Sequence, residues 1–229
     1  MTRITAQLLA VQQRIAAAEA RFDRAPGSVQ LLAVSKGQPL AALREALTAG
    51  QRCFGESYIQ EAVGKIAALT DCAPEWHFIG PLQRNKTRSV AANFAWVQSL
   101  DRLTPAERLN AQRPANLPAL QVCIEVNISG EAGKSGVAPA DLPTLAAAVT
   151  VLPRLQLRGL MALPAPIAEF AAQRAAFQRL RALYDELRAR GYPLDTLSMG
   201  MSGDLEAAIA EGATIVRVGT AIFGERHSL

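Results

Sequence analysis

Leu31-Leu32-Ala33-Val34-Ser35-Lys36-Gly37 sets the pattern on which the whole chain is built. A short apolar run suited to a buried strand passes straight into a lysine, and Gly37 and Pro39 end the element at once. Pro39 to Ala49 then carries helical spacing, with Gly50 as its stop. The same strand-then-helix unit recurs downstream. Arg52 to Gly55 predicts a second strand and Tyr58 to Leu69 its helix. Trp76 to Gly80, Ala95 to Ser99, Leu120 to Ile128, Leu155 to Met161, Thr196 to Met199 and Thr214 to Val218 predict the remaining strands, with helix-forming stretches between them. Upstream, Ile4, Leu8, Val11, Ile15, Ala18 and Phe22 recur at helical intervals and describe one face of an amphipathic helix preceding the first strand.

Strict alternation of strand and helix implies a parallel sheet, because parallel neighbours need a crossover. Eight such units in 229 residues predict an α/β fold closed as a (β/α)8 TIM barrel with an additional N-terminal helix. That architecture typically takes about 250 residues and tolerates as few as about 200. An open doubly wound sheet is the alternative, and the first strand lacks the G-x-G-x-x-G turn of its dinucleotide-binding form. No linker interrupts the pattern, so residues 1–229 are read as one domain; Leu163-Pro164-Ala165-Pro166 falls where the loop after the sixth strand belongs.

Half of the residues are hydrophobic, enough for a sizeable core. There is no run of eighteen apolar residues, and Met1 to Arg24 mixes Arg, Gln and Glu through its alanines, unlike a signal peptide. The expectation is a cytoplasmic protein without membrane contact. Cys53, Cys72 and Cys123 are odd in number and widely spaced, which suits reduced thiols and gives no metal site. A net charge of +4 and a pI near 9.2 come from scattered arginines without interleaved aromatics, so nucleic acid is not an expected partner.

Closure brings the eighth strand beside the first, and all strand ends open on one face. Lys36 then faces two glycine-rich strand ends: Gly200-Met201-Ser202-Gly203-Asp204-Leu205-Glu206 after the seventh strand, and Arg217-Val218-Gly219-Thr220-Ala221 at the eighth. Glycine lets an anion reach the backbone, Ser and Thr add hydroxyls, and a helix start adds unpaired N–H groups. Taken singly, Ser202 reads as a helix N-cap and Gly219 as a turn; their occurrence together beside a strand-end lysine favours a phosphate cradle. A lysine, a phosphate cradle and an arginine at one mouth suggest pyridoxal 5'-phosphate. The amine can form an imine with the aldehyde, and Arg217 can face the pyridine nitrogen, where a permanent cation disfavours protonation. The alternative for Arg217 is a structural ion pair with Glu56 or Glu125.

The runs LLAVSK (31–36), FGESYIQEA (54–62), WHFIGPLQRNK (76–86), LQLRGLMALP (155–164) and GMSGDLEAAIAEGATIVRVGTAIFG (200–224) resemble the pyridoxal phosphate homeostasis protein family, short relatives of the alanine racemase barrel. The resemblance spans nearly the whole chain. It implies an alanine racemase N-terminal-domain-like barrel that holds the cofactor as a Lys36 imine and acts in vitamin B6 and amino-acid homeostasis without established turnover. It also implies that Ser202, Gly219 and Thr220 hold the phosphate, with Met201 beside them, and that Arg217 meets the pyridine nitrogen. Possible recipients are apo-enzymes that need the cofactor. One position departs from the family pattern: Ser57 stands where asparagine is usual, and a hydroxyl replaces only part of an amide's bonding.

The other function considered is an amino-acid racemase using the same imine. Racemisation needs acid/base groups on both faces of the α-carbon. In alanine racemases the partner of the lysine is a tyrosine from a second domain and subunit. This sequence ends just past its last strand, which implies a monomer and leaves Tyr58 as the candidate. Catalytic residues are therefore not assigned. Gly133-Lys134-Ser135 mimics the tail of a Walker A motif, but Ile128 occupies the required glycine position, so Lys134 is read as a loop residue near the mouth. Arg84, Lys86 and Arg88 read as a solvated face, His77 as a hydrogen-bonded histidine, and His227 as lying at the frayed end.

Overall fold

A computed structural model describes residues 2–131 and 133–225; His227 lies outside them. After the N-terminal helix α1 (Arg3–Arg21), strands and helices alternate: β1 (Gln30–Val34), α2 (Leu40–Thr48), β2 (Cys53–Glu56), α3 (Ile59–Ala68), β3 (Glu75–Phe78), α4 (Thr87–Asn93), β4 (Trp96–Leu100) and α5 (Leu103–Gln112). The second half follows with β5 (Leu120–Glu125), α6 (Leu142–Thr150), β6 (Leu155–Met161), α7 (Phe170–Ala189), β7 (Thr196–Ser198), α8 (Leu205–Ala210), β8 (Ile215–Val218) and the short α9 (Thr220–Phe223). Every strand pairs in parallel with the next, and β8 returns to β1, with Leu32 opposite Arg217 and Ala33 opposite Val218. The predicted closed barrel and its additional N-terminal helix are therefore present.

Strand alternation divides the side chains into two sets. Leu31, Ala33, Phe54, Phe78, Val97, Val122, Ile124, Leu160, Leu197, Val216 and Val218 join the continuous core under the helices. Their neighbours in sequence turn into the barrel, where Trp96, Cys123 and Met161 form a separate apolar cluster. The interior also takes His77, Gln98, Ser198 and Arg217, all buried and hydrogen-bonded to one another. The barrel axis is thus markedly polar, a property hidden in strands that read as simple apolar runs. Burying an aliphatic side chain contributes about 1.5–3 kcal/mol, so the helix-covered layer carries the stability and leaves the axis open to chemistry.

Helix α1 buries Ile4, Leu8, Val11, Ile15 and Ala18, the predicted face, and Thr2 caps its start by accepting from the Thr5 N–H at 3.3 Å. Its last turn holds the buried Glu19, which accepts from the N–H groups of Gly27 (3.0 Å) and Val29 (2.8 Å) and so fixes the entry into β1. Two boundaries differ from the sequence reading for visible reasons. β5 ends at Glu125, not Ile128, because Val126 and Asn127 turn away to pair with Val137. Past Gly219 the chain forms α9 where only a turn is expected from sequence.

Candidate functional site

At the C-terminal ends of β1, β7 and β8 lies a cavity of about 250 Å³. Lys36, Met201, Ser202, Arg217, Gly219 and Thr220 all line it, so residues separated by most of the chain meet in one place. The wall beside them is apolar, with Val34, Ile79, Met161 and Leu163.

Lys36 leaves the end of β1 and its ammonium donates to Ser57 Oγ at 3.3 Å. Ser57 comes this close because Gly80 lies against its backbone: a Cβ on Gly80 would stand 2.4 Å from the Ser57 carbonyl oxygen. The peptide on either side of Lys36 is clamped from the helix layer. Lys65 of α3 donates to the Ser35 carbonyl (2.7 Å), Glu56 Oε1 (2.8 Å) and Glu61 Oε1 (2.5 Å), and the Gly37 N–H donates to the same Glu61 oxygen at 2.7 Å. Ser35 Oγ completes the cluster with a bond to Glu56 at 2.7 Å. Burial pushes the Glu56 carboxyl above the usual range, against the pull of Lys65. The main chain carrying the amine is therefore held rigid from outside the barrel.

Arg217 is 3 % exposed and directed into the interior. It donates from Nη1 to Ser198 Oγ (2.6 Å) and from Nη2 to the Ala162 carbonyl (2.8 Å). Neither carboxylate considered for it forms an ion pair with it among the described residues: Glu56 points outward to Lys65, and Glu125 acts only through its field. Burial lowers the Arg217 pKa to about 10, opposed by Glu125 and Asp204. A buried cation held by neutral acceptors costs several kcal/mol, and its remaining N–H groups are available to a ligand acceptor.

Glu125, at the end of β5, is pushed up to about 7 by burial and by Asp101, against the pull of Arg217. Its folded pKa lies above the ordinary 4.5, so the folded state binds the extra proton between those values and its stability falls as pH rises through them. A tenfold change in proton affinity corresponds to about 1.4 kcal/mol, so ionising this buried carboxyl removes on the order of 3 kcal/mol. Glu125→Gln is expected to unfold at higher urea than the parent at pH 8 and with little difference at pH 4.5. Equal midpoints at pH 8 would show that Glu125 is solvated.

The two glycine-rich strand ends form the remaining rim. Ser202 does not cap α8, the alternative its residue type offers when taken singly: Asp204 precedes α8 and its Oδ1 accepts from the Met201 N–H at 2.6 Å, and Ser202 and Gly203 line the cavity. Arg14 of α1 secures the loop from behind, donating to the Ser202 carbonyl (3.0 Å) and to Glu206 (2.8 Å). On β8, Gly219 is the N-cap of α9, so the leading N–H groups of that turn have no intrahelical acceptor. A Cβ at Gly219 would meet the Val34 carbonyl at 3.0 Å, so glycine allows this rim to press against the β1 end that bears Lys36.

Other candidates stand apart. Tyr58 is 53 % exposed and does not line the cavity. Lys134 pairs with Glu131 at 2.6 Å, also outside the lining. His77 is a core histidine bonded to Glu75 and Gln98. Cys53, Cys72 and Cys123 are free thiols. Sequence reasoning missed Ser198, Ala162, Arg14 and the Lys65 cluster. The spacing of Glu61 and Lys65 is a visible signal, but it reads as an exposed helix pair until Glu56 is packed against it.

An amine, two rims of N–H and hydroxyl donors, and a buried cation with spare donors fit a ligand carrying a carbonyl, a phosphate and a ring-nitrogen acceptor. Residues 7–227 match the family described as alanine racemase, N-terminal domain. The chain is 60 % identical over 226 residues to the pyridoxal phosphate homeostasis protein of Pseudomonas aeruginosa, covering 99 % of this chain and 97 % of that one. PipY of Synechococcus elongatus, solved with pyridoxal phosphate bound, superposes with a TM-score of 0.81 at 42 % identity, covering 92 % of this chain and 100 % of the other. Alanine racemase from Corynebacterium glutamicum shares the fold at 16 % identity, with a TM-score of 0.67 over 96 % of this chain and 62 % of the racemase.

Proposed function

Because the chain belongs to the alanine racemase N-terminal domain family and, within it, to the pyridoxal phosphate homeostasis proteins, we propose that it binds pyridoxal phosphate at the barrel mouth and serves as its reversible carrier. Bound there, the cofactor supplies an aldehyde able to condense with a primary amine. In this reading Lys36 provides that amine, held in register by the Lys65 cluster and steadied by Ser57. Ser202, Gly219 and Thr220 bind the phosphate through hydroxyl and N–H donors, and Met201 covers them on the solvent side. Arg217 donates to the pyridine nitrogen and, as a fixed cation, keeps a proton off it, which weakens the ring as an electron sink. The observation that carries the proposal is the convergence of Lys36, Arg217 and both glycine-rich rims on one cavity.

Holding is favoured over racemisation by the position of Tyr58, which is half exposed and outside the lining of the cavity that Lys36 enters. Residues 1–229 act as one binding unit, a cytoplasmic monomer with reduced cysteines, and apo-enzymes are its recipients. The free state of Cys53, Cys72 and Cys123 supports a reducing compartment, and no helix of the described residues is long and apolar enough to cross a membrane. Titrating the purified chain with pyridoxal phosphate and with unphosphorylated pyridoxal tests the reading. Saturable binding of the first at one equivalent, and at least about tenfold weaker binding of the second, is expected from loss of the charge-assisted phosphate contacts. Equal affinity for both removes the phosphate assignment, and lack of saturation with either removes the function.

A further inference from the structure

Below Arg217 the barrel axis holds a single file of hydrogen bonds. Arg217 Nη1 donates to Ser198 Oγ at 2.6 Å, and Ser198 Oγ bonds Gln98 Oε1 at 2.6 Å. Gln98 Nε2 meets His77 Nδ1 at 2.9 Å, and His77 Nε2 meets Glu75 Oε1 at 2.9 Å. The file crosses from the mouth to the opposite end of the barrel, where the Glu75 side chain is 41 % exposed. Its ends have opposite and unambiguous character. A guanidinium only donates, and an ionised carboxylate only accepts.

Between those ends stand a hydroxyl, an amide and an imidazole, each able to accept on one side and donate on the other. One arrangement satisfies every contact without charging the histidine: the Ser198 hydroxyl donates to Gln98 Oε1, the Gln98 amide donates to His77 Nδ1, and His77 donates its Nε2 proton to Glu75. The histidine is then neutral, in agreement with its burial and with the downward shift that burial gives its pKa. All the bond dipoles align and reinforce one another, with their negative end at the guanidinium. In this tautomer the His77 Nε2 carries a proton where it faces Cys53 and Glu75, the three ligand atoms lying within 4.8 Å of one another. A ligating histidine uses an unprotonated nitrogen and donates from the other, the reverse of what Gln98 imposes.

We infer that Ser198, Gln98 and His77 are positioning residues for Arg217, an oriented column that holds the guanidinium toward the cavity with aligned dipoles in place of a contacting carboxylate. A carboxylate in contact with Arg217 would cancel most of its field at the mouth; the column fixes the side chain through neutral contacts, with Glu125 and Asp204 acting only at a distance. The inference rests on Arg217 facing the pyridine nitrogen for its consequence in binding, and its physical core is measurable without cofactor.

In cofactor-free wild-type protein, nitrogen-15 NMR is expected to show His77 as the neutral Nε2–H form and the Arg217 guanidinium protons exchanging slowly. Gln98→Leu cuts the file, and Arg217 exchange is expected to rise at least tenfold. Gln98→Glu, of equal size, retains the acceptor for Ser198 but draws a proton onto His77 Nδ1. With pyridoxal phosphate, Gln98→Leu is expected to raise Kd about tenfold and shift the absorbance of the bound cofactor. A wild-type His77 protonated at Nδ1, or Arg217 exchange and cofactor absorbance both unchanged in folded Gln98→Leu, overturns the column. Should wild type fail to bind the cofactor, the functional proposal falls, while the His77 and Arg217 signals still decide the column.

Discussion

A Lys36→Ala protein is expected to remain folded and to lose entirely the visible absorbance that the wild type acquires with pyridoxal phosphate. Lys36 is the one lysine lining the cavity among the described residues, and alanine offers no nitrogen to the aldehyde. The rims at Ser202, Gly219 and Thr220 proposed to hold the phosphate do not depend on its side chain, so a weaker, non-covalent affinity for the cofactor is expected to persist and to compete with inorganic phosphate. Borohydride reduction separates the two modes: the wild type gains a stable adduct that peptide mapping assigns to Lys36, and the variant gains none. An unchanged spectrum, or an adduct on another lysine, would refute the assignment. Little loss of stability is expected, because the amine sits at a strand end and its peptide is held by other residues.

The largest stability effect is expected at Lys65, remote from any ligand contact. Its side chain is 8 % exposed, and its ammonium serves the Ser35 carbonyl and the Glu56 and Glu61 carboxylates together. Lys65→Met keeps much of the volume but strands two buried carboxylates beside each other. Removing one partner from such a cluster costs about 3–5 kcal/mol, and in a chain of this size each kcal/mol moves Tm by roughly 2–4 °C, so a fall of about 10 °C is expected by calorimetry. Cofactor affinity should fall with it, because the Gly37 N–H shares its Glu61 oxygen with Lys65. Adding Glu56→Gln to the variant should restore part of the stability. A Tm within about 2 °C of wild type, the effect of a single kcal/mol or less, would mean that the carboxylates are satisfied by solvent.

Much of the fold is legible in sequence because each strand is short, apolar and followed by a breaker. Gly37, Gly50 and Gly80 mark ends that the structure places within a residue or two of the reading. The convergence of Lys36 with Arg217 and Gly219 follows from closure, and that follows from counting uninterrupted strand-helix units. The buried polar partners could not be found this way. Ser198 and Gln98 are 100 positions apart and meet only through the register of a closed barrel. Arg217 gave no sign that its acceptors would be a hydroxyl and a carbonyl; the two glutamates proposed for it are separated by strand alternation, Glu56 to the helix side and Glu125 to the axis. Ser202 suggested an N-cap by residue type, yet Asp204 occupies that place.

Closure of the sheet also limits how other macromolecules can engage this one. With β8 returned to β1, none of the strands among the described residues presents an unpaired ladder, so annexation of an extra strand, a common route to both specific docking and runaway polymerisation, has no template there. Contact must be made by helix surfaces or by the connecting loops, and the loops at the mouth are also the ligand's doorway. Docking there and retention of the ligand then compete for one surface, which makes the dwell time of small molecules in the barrel sensitive to company without any change of fold.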